Sequence, residues 1–153
     1  LKSDYILEMD GGFSHQPKEI PQFIDKLLLG YDCVFGSRFI KGGGLRSTPK
    51  RKFFSKIGTI IANLFLGLKL KDATSGFEAF RMDVLKKILR KKLVSRGHFF
   101  QTEIRFRART FKWIEVSIHY KNPSNSLSTD SINNSFTALF SCMRERIKGI
   151  KYD

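Results

Sequence analysis

The sequence predicts an α/β fold, a mixed but mostly parallel sheet flanked by helices. Two observations carry this expectation. A strand, an amphipathic helix and a second strand follow one another at the start of the chain, over about thirty residues, the length of a βαβ unit. Beyond them, short β-type runs keep alternating with stretches whose apolar residues recur every three or four positions. The scale agrees, since 153 residues, 41% of them hydrophobic, suffice for a single domain with a core.

The elements follow in order. Residues 4–9 form a short apolar strand that ends in the turn signal Asp10-Gly11-Gly12. A helix starts around Ser14 to Glu19, where Pro17 suits the first turn. Ile20, Phe23, Ile24 and Leu27 continue it, and Gly30 ends it. Residues 31–37 are the second strand. A Gly-rich basic segment, 38–52, leads into an amphipathic helix over about 50–68, with Phe53, Phe54, Ile57, Ile60, Ile61, Leu64 and Phe65 as its apolar positions. A loop over 71–77 feeds a short strand at 78–80. Helices are expected over 82–93, with a very basic face, and over 99–110. Residues 113–120 alternate Ile114, Val116, Ile118 and Tyr120 with polar partners, as a half-buried strand does. Residues 122–134 are polar and turn-rich, and a last amphipathic helix runs from Phe136 to about Gly149. As domains, 1–120 hold the α/β body, and 121–153 a polar loop with a C-terminal helix packed on it. Leu1 is not a methionine, and a buried strand arrives almost at once. The expectation is therefore an N-terminal portion ahead of this chain.

Charge narrows the partners. Twenty-eight Lys and Arg stand against 14 Asp and Glu, a formal charge of +14. This excludes a cation-buffering protein and favours an anionic partner, either nucleic acid, a phosphorylated small molecule or an anionic membrane face. From Cys33 to Lys71 nine cations occur and no acid. No stretch reaches the roughly 18–20 apolar residues of a membrane span. Cys33 and Cys142 have neither a CxxC neighbour nor a His at ligand spacing, so they are expected as buried thiols rather than zinc ligands or a disulfide framework.

Four places can carry chemistry. Asp10 ends a strand, where open α/β sheets bind ligands, and one such carboxylate can hold a divalent cation that bridges a diphosphate. An Asp-Gly turn is also often only a turn. The basic segment offers Arg38 and Arg51, planar forks suited to phosphate oxygens, or else a solvated loop. Asp72-Ala73-Thr74-Ser75-Gly76-Phe77 sets hydroxyls and a glycine beside a carboxylate, fit for sugar or phosphate, or for capping a turn. Gln101 and Glu103 can line a pocket or decorate a helix end. His15, His98 and His119 show no triad or metal spacing. The helix over 50–68 has two placements open to it, core packing under a sheet or burial in a membrane interface with its cations toward headgroups.

In this order and spacing, Met9-Asp10-Gly11-Gly12-Phe13-Ser14-His15-Gln16-Pro17, Gly36-Ser37-Arg38-Phe39-Ile40-Lys41-Gly42-Gly43, Asp72-Ala73-Thr74-Ser75-Gly76-Phe77 and Phe100-Gln101-Thr102-Glu103 resemble family 2 glycosyltransferases of the dolichyl-phosphate mannosyltransferase type. Glu115-Val116-Ser117-Ile118 matches the strand that follows, and the resemblance spans residues 4 to about 120. It implies a GT-A (Rossmann-like) fold, here incomplete. It also implies a nucleotide-diphospho-sugar donor, Mg²⁺ or Mn²⁺, and a polyprenyl phosphate (dolichyl or undecaprenyl) acceptor. The setting would be peripheral on the cytoplasmic membrane face, with inversion at the sugar. Asp10 resembles the first acid of the metal-binding Asp-x-Asp motif, and Ser14 lies near the position that completes the metal shell. Thr74, Ser75, Gly76, Gln101 and Glu103 fall on the donor and sugar side. Arg38 and Arg51 fall on the acceptor phosphate.

The sequence departs from the pattern at three places. Gly12 stands where the family has its second acid, which weakens the metal site and puts activity in question. Tyr120-Lys121-Asn122-Pro123-Ser124-Asn125-Ser126-Leu127-Ser128 replaces a basic, Gly-containing closing segment. The family's first βαβ unit, with its pocket for base and ribose, has no counterpart. The expected partners beyond the substrates are an anionic membrane surface and a missing N-terminal segment or a membrane-protein partner. Nucleic acid is not expected, because no finger, RNP or helix-turn-helix pattern accompanies the charge. A basic nucleic-acid-binding module and a non-catalytic membrane-docking remnant are the alternatives.

Overall fold

The computed structural model describes residues 3–12, 14–121 and 129–153. Strand β1 is Tyr5–Glu8, helix α1 Ile20–Leu28, strand β2 Cys33–Ser37 and the two-residue β3 Gly44–Leu45. Helix α2 is Pro49–Leu66, strand β4 Glu78–Arg81, helix α3 Met82–Ile88 and helix α4 Phe100–Arg107. Strand β5 is Trp113–Ser117, β6 His119–Tyr120 and helix α5 Thr129–Ile147.

The main sheet has the order β1-β4-β2-β5. β4 pairs antiparallel with both β1 and β2, while β2 and β5 are parallel. Three strands therefore point one way and β4 runs against them. The opening β-α-β unit keeps its parallel sense, but its two strands are not neighbours, because β4 lies between them. The consequence matters for function. The C-terminal ends of β1, β2 and β5 and the N-terminal end of β4 all meet at one edge of the sheet. β6, which follows β5, pairs parallel with β3 in a small second sheet near Ser37.

β2 is buried at every position. Its alternation divides the core: Cys33 and Phe35 face a cluster with Ala62, Leu66, Phe80 and Phe106, whereas Val34 faces Phe23, Leu27, Phe77 and Ile118. Both thiols are buried and unbridged. Burial pushes the Cys142 thiol up to about 12 and Cys33 higher still, so both are chemically quiet.

α2 starts at Thr48, whose hydroxyl accepts the Arg51 N–H at 3.3 Å, and Pro49 occupies the first turn. It ends at Gly67, with φ +68°. There Arg146 of α5 donates to the carbonyls of Leu64 (3.1 Å) and Phe65 (2.8 Å). The helix buries Thr59, Ala62 and Leu66 and turns its bulk outward: Phe53 is 61%, Ile60 62% and Leu64 70% exposed. Core packing, one of the two placements open for it, holds only for the small inner face. Among the described residues no helix is long and apolar enough to cross a membrane.

Three further details differ from the sequence pattern. α3 stops at Ile88, and a 3-10 turn, Ala108–Thr110, closes the span expected as one helix with α4. The strand expected over 113–120 breaks into β5 and β6. α5 begins at Thr129 rather than Phe136, and the polar segment 122–128 lies outside the described residues, as does Phe13.

Candidate active site

Asp10 stands two residues beyond the end of β1. Its backbone N–H donates to His15 Nδ1 at 2.9 Å, which closes the loop around the glycines. His15 is buried, stacked on Phe77 with ring centroids 4.8 Å apart and edge-on to Tyr120 at 5.0 Å. With Nδ1 as acceptor, the proton belongs on Nε2. Burial and the nearby Arg38 hold the imidazole below its usual range against the pull of Asp10 and Glu19. His15 is thus a neutral pin for the loop. The Asp10 carboxylate is left 42% exposed.

Arg38 follows β2 directly. Its Nε and Nη2 form a fork on the Asp72 carboxylate at 2.6 and 2.7 Å, and its backbone N–H donates to the same group at 3.0 Å. Nη2 also donates to Thr74 Oγ1 at 2.7 Å. Asp72 is fully buried. Burial alone would raise its pKa, but the hydrogen bonds and charge of Arg38, with the charge of Arg105, hold it below the ordinary range. Thr74 N–H donates back to Asp72 Oδ1 at 3.2 Å. The hydroxyl-rich loop is therefore built round a buried ion pair.

Tyr120 joins these two groups. Its hydroxyl donates to Asp10 Oδ2 at 3.2 Å, and the Arg38 guanidinium carbon lies 5.6 Å from its ring centroid. Arg38 also sits 5.4 Å from the Phe39 ring. The register of β6 on β3 fixes Tyr120, since Arg46 N–H donates to its carbonyl at 3.0 Å.

Gly76 and Gln101 complete the Asp10 side. A Cβ at Gly76 would run into the Gln101 amide and come within 3.6 Å of Asp10 Oδ1, so only glycine lets these groups close together. Gln101 is hydrogen-bonded to Glu8, whose carboxyl burial raises above the usual range. Glu8 faces Glu78 directly across the β1–β4 ladder. Glu78 is fully buried, which pushes its pKa up to about 7, and its Oε1 has no partner among the described residues. Its Oε2 accepts from Arg105 Nε at 3.1 Å. Arg105, equally buried, also donates to the Asp72 carbonyl and, at 2.7 Å, to that of Ser75. It supports the 72–75 loop from within.

The fold thus brings Asp10, Gly76 and Gln101 into one group and Arg38 and Thr74 into another, linked by Tyr120. Ser75 lies in the same loop, buried, its hydroxyl accepting the Phe77 N–H at 3.4 Å. Ser14 is buried beside the Asp10 turn, and its carbonyl accepts the Lys121 N–H at 2.9 Å. Arg51 sits in the first turn of α2. Glu103 points elsewhere. It is buried, accepts the Ser95 N–H at 2.9 Å and pairs with Arg107 at 2.7 Å, so it holds the 94–95 turn. Sequence reasoning passed over Tyr120, Glu8, Glu78 and Arg105.

The family model for Glycosyl transferase family 2 matches residues 1–89. The chain belongs to that family. As a family 2 chain it is similar to the polyprenol monophosphomannose synthase of Mycolicibacterium smegmatis, 33% identical over 94% of this chain and 56% of that protein. It is also similar to the undecaprenyl-phosphate mannosyltransferase of Micrococcus luteus, 37% identical over 68% of this chain and 43% of that protein. The chain spans about half the length of the curated relatives it matches. Among solved structures it superposes on glucosyl-3-phosphoglycerate synthase from Mycobacterium tuberculosis in complex with uridine diphosphate, with a TM-score of 0.60 at 16% identity, covering 94% of this chain and 51% of that one. The complex of the same enzyme with phosphoglyceric acid gives 0.61. The mixed sheet flanked by helices is accordingly the GT-A arrangement of this glycosyltransferase family.

Proposed function

We propose that this family 2 chain takes part in inverting transfer of a sugar, mannose by analogy with the two named relatives, from a nucleotide-diphospho-sugar to a polyprenyl phosphate at a membrane face. One observation carries the reading: Tyr120 meets Asp10 with its hydroxyl and Arg38 with its ring, so an acidic anchor and a cationic one share a single side chain at the same sheet edge.

The reaction needs little proton chemistry. An acceptor phosphate is already ionised at neutral pH. Its oxygen forms a bond to the anomeric carbon as the bond from that carbon to the donor diphosphate breaks, and the diphosphate leaves with the electron pair. The protein's tasks are alignment and charge. Arg38, already oriented by Asp72 and Thr74, holds the acceptor phosphate in line, with Arg51 as a second cation. Thr74, Ser75, Gly76 and Gln101 shape the sugar side, and Glu103 positions the segment that carries Gln101.

A divalent cation fits this site in one mode. Among the described residues no three His, Cys, Asp or Glu side chains cluster, so a protein cage is not built. One exposed carboxylate beside a substrate diphosphate is a donor set that Mg²⁺ accepts, with water filling the remaining positions. Asp10 would hold it, with Ser14 nearby, and when bound it would neutralise charge on the leaving diphosphate.

The outward face of α2, apolar and flanked by Lys50, Arg51, Lys52 and Lys56, supports a peripheral membrane setting. The decisive test is transfer of labelled sugar from nucleotide-diphospho-mannose and -glucose to undecaprenyl and dolichyl phosphate. The expected result is a chloroform-soluble product that Arg38→Ala abolishes. A protein that makes none, yet binds duplex DNA with a steep salt dependence, would refute the reading in favour of a nucleic-acid module.

A further inference from the structure

Beside α2 lies an open cavity of about 440 Å³ whose walls include Phe39, Lys56, Ile60, Asn63, Lys69 and Lys71. Its walls do not include Asp10, Gly76 or Gln101, and it meets the candidate site only at Phe39, whose ring centroid lies 5.4 Å from the Arg38 guanidinium. Asn63 makes it rigid. Its amide donates to the Leu70 carbonyl at 2.7 Å and accepts the Leu70 N–H at 3.2 Å, which ties the loop carrying Lys69 and Lys71 to the helix carrying Lys56. Lys56 Nζ stands 5.7 Å from the Phe39 ring centroid. None of the three lysines makes an ion pair among the described residues. No acid lines the cavity. Glu115, the acid that touches this loop, uses both oxygens on the backbone N–H groups of Lys71 (2.8 Å) and Asp72 (2.9 Å).

The cations do not stand alone. Lys56, Ile60 and Leu64 follow one another at four-residue steps, so they form one stripe along α2 about 12 Å long. Its charged end is at the cavity, and its apolar end is exposed. A soluble anion would use only the first part of this stripe. An amphiphile with an anionic head and apolar chains would use all of it.

We propose that this cavity is a binding site for the phosphate headgroup of an anionic phospholipid, whose chains lie along Ile60 and Leu64. The proposal rests on the membrane-facing reading of α2 and adds a specific headgroup site to it. The site would fix how α2 sits on the membrane, and with it the height of the Arg38 edge above the lipid.

Vesicle co-sedimentation tests this, with phosphatidylcholine alone and with added phosphatidylglycerol. The variants are the triple Lys56→Gln, Lys69→Gln, Lys71→Gln and a charge-matched control, Lys86→Gln, Arg90→Gln, Lys92→Gln. The wild type is expected to prefer the anionic vesicles. The cavity triple should lose at least about tenfold of that affinity, since each lysine near an anionic surface counts for about 1 kcal/mol. The control should keep it, and binding to phosphatidylcholine should be the same for all three. Equal losses in both triples would reduce the effect to general surface charge and overturn the site. Wild-type binding without preference for the anionic vesicles would overturn it while leaving the membrane reading intact. No binding to either vesicle would remove the membrane reading itself. Inorganic phosphate is the arm for a free anion: binding by the wild type and not by the cavity triple would assign the cavity to a soluble phosphate instead.

Discussion

Tyr120 is the residue on which the proposed site turns. Its hydroxyl reaches Asp10 and its ring lies against Arg38 and His15, so one side chain sets the spacing of both anchors. Tyr120→Phe keeps the ring and deletes one hydrogen bond. The expected stability loss is about 0.5–1.5 kcal/mol in a urea melt, whereas sugar transfer should need more Mg²⁺ for half-saturation. Gly12→Asp tests the same spot from the other side. Among the described residues a Cβ there meets only Ser14 Oγ, at 3.9 Å, and the backbone has no positive φ, so the acid is accommodated. The variant should show tighter metal dependence and faster transfer, and an unchanged metal titration would refute the role given to Asp10. Glu78 supplies a pH signature. Its folded pKa of about 7 lies above its ordinary 4.5, so between these values the folded state holds the extra proton and stability falls as pH rises. His15 and Asp72, both shifted downward, contribute with the opposite slope, His15 up to its ordinary 6.5 and Asp72 at lower pH. Glu8, also shifted upward and facing Glu78, adds the same slope, so the difference between wild type and Glu78→Gln reports this pair: melts across this range should show the variant gaining relative stability toward pH 7.

At the scale of elements, α2 is the unusual one. Its apolar period was evident in the sequence, yet the period alone cannot say whether the apolar face meets a sheet or a lipid. The structure shows that most of this face does not meet the sheet, because Thr59, Ala62 and Leu66 are the positions it buries while Phe53, Ile60 and Leu64 stay exposed. Phe53→Ser with Leu64→Ser should therefore leave the melting temperature nearly unchanged and lower vesicle binding severalfold. The C-terminus of α2 behaves differently. Gly67 has φ +68°, and a Cβ there would come within 2.8 Å of the Arg146 guanidinium that caps the helix. Gly67→Ala should cost about 1 kcal/mol or more in a denaturant melt through backbone strain and the displaced cap. β4 was legible as a strand but not in its position. Its seat between β1 and β2 comes from pairing with strands more than forty and at least seventy residues earlier in the chain.

For the whole molecule, the sequence by itself determined the α/β class, most element boundaries, the burial of both thiols and the four ordered motifs that carry the family resemblance. These are local properties: period, turn residues and spacing act over a few positions, and a reader of the chain sees them directly. The charge excess between Cys33 and Lys71 was equally plain. Only the tertiary structure decided what those parts do to one another. It gave Arg38 a buried carboxylate 34 residues away and Asp10 a tyrosine 110 residues away. It turned Glu103 inward and directed the bulky face of α2 outward. Contacts across such separations depend on which strands pair and in what register. That choice is made by the packing of the entire core, and no local pattern encodes it.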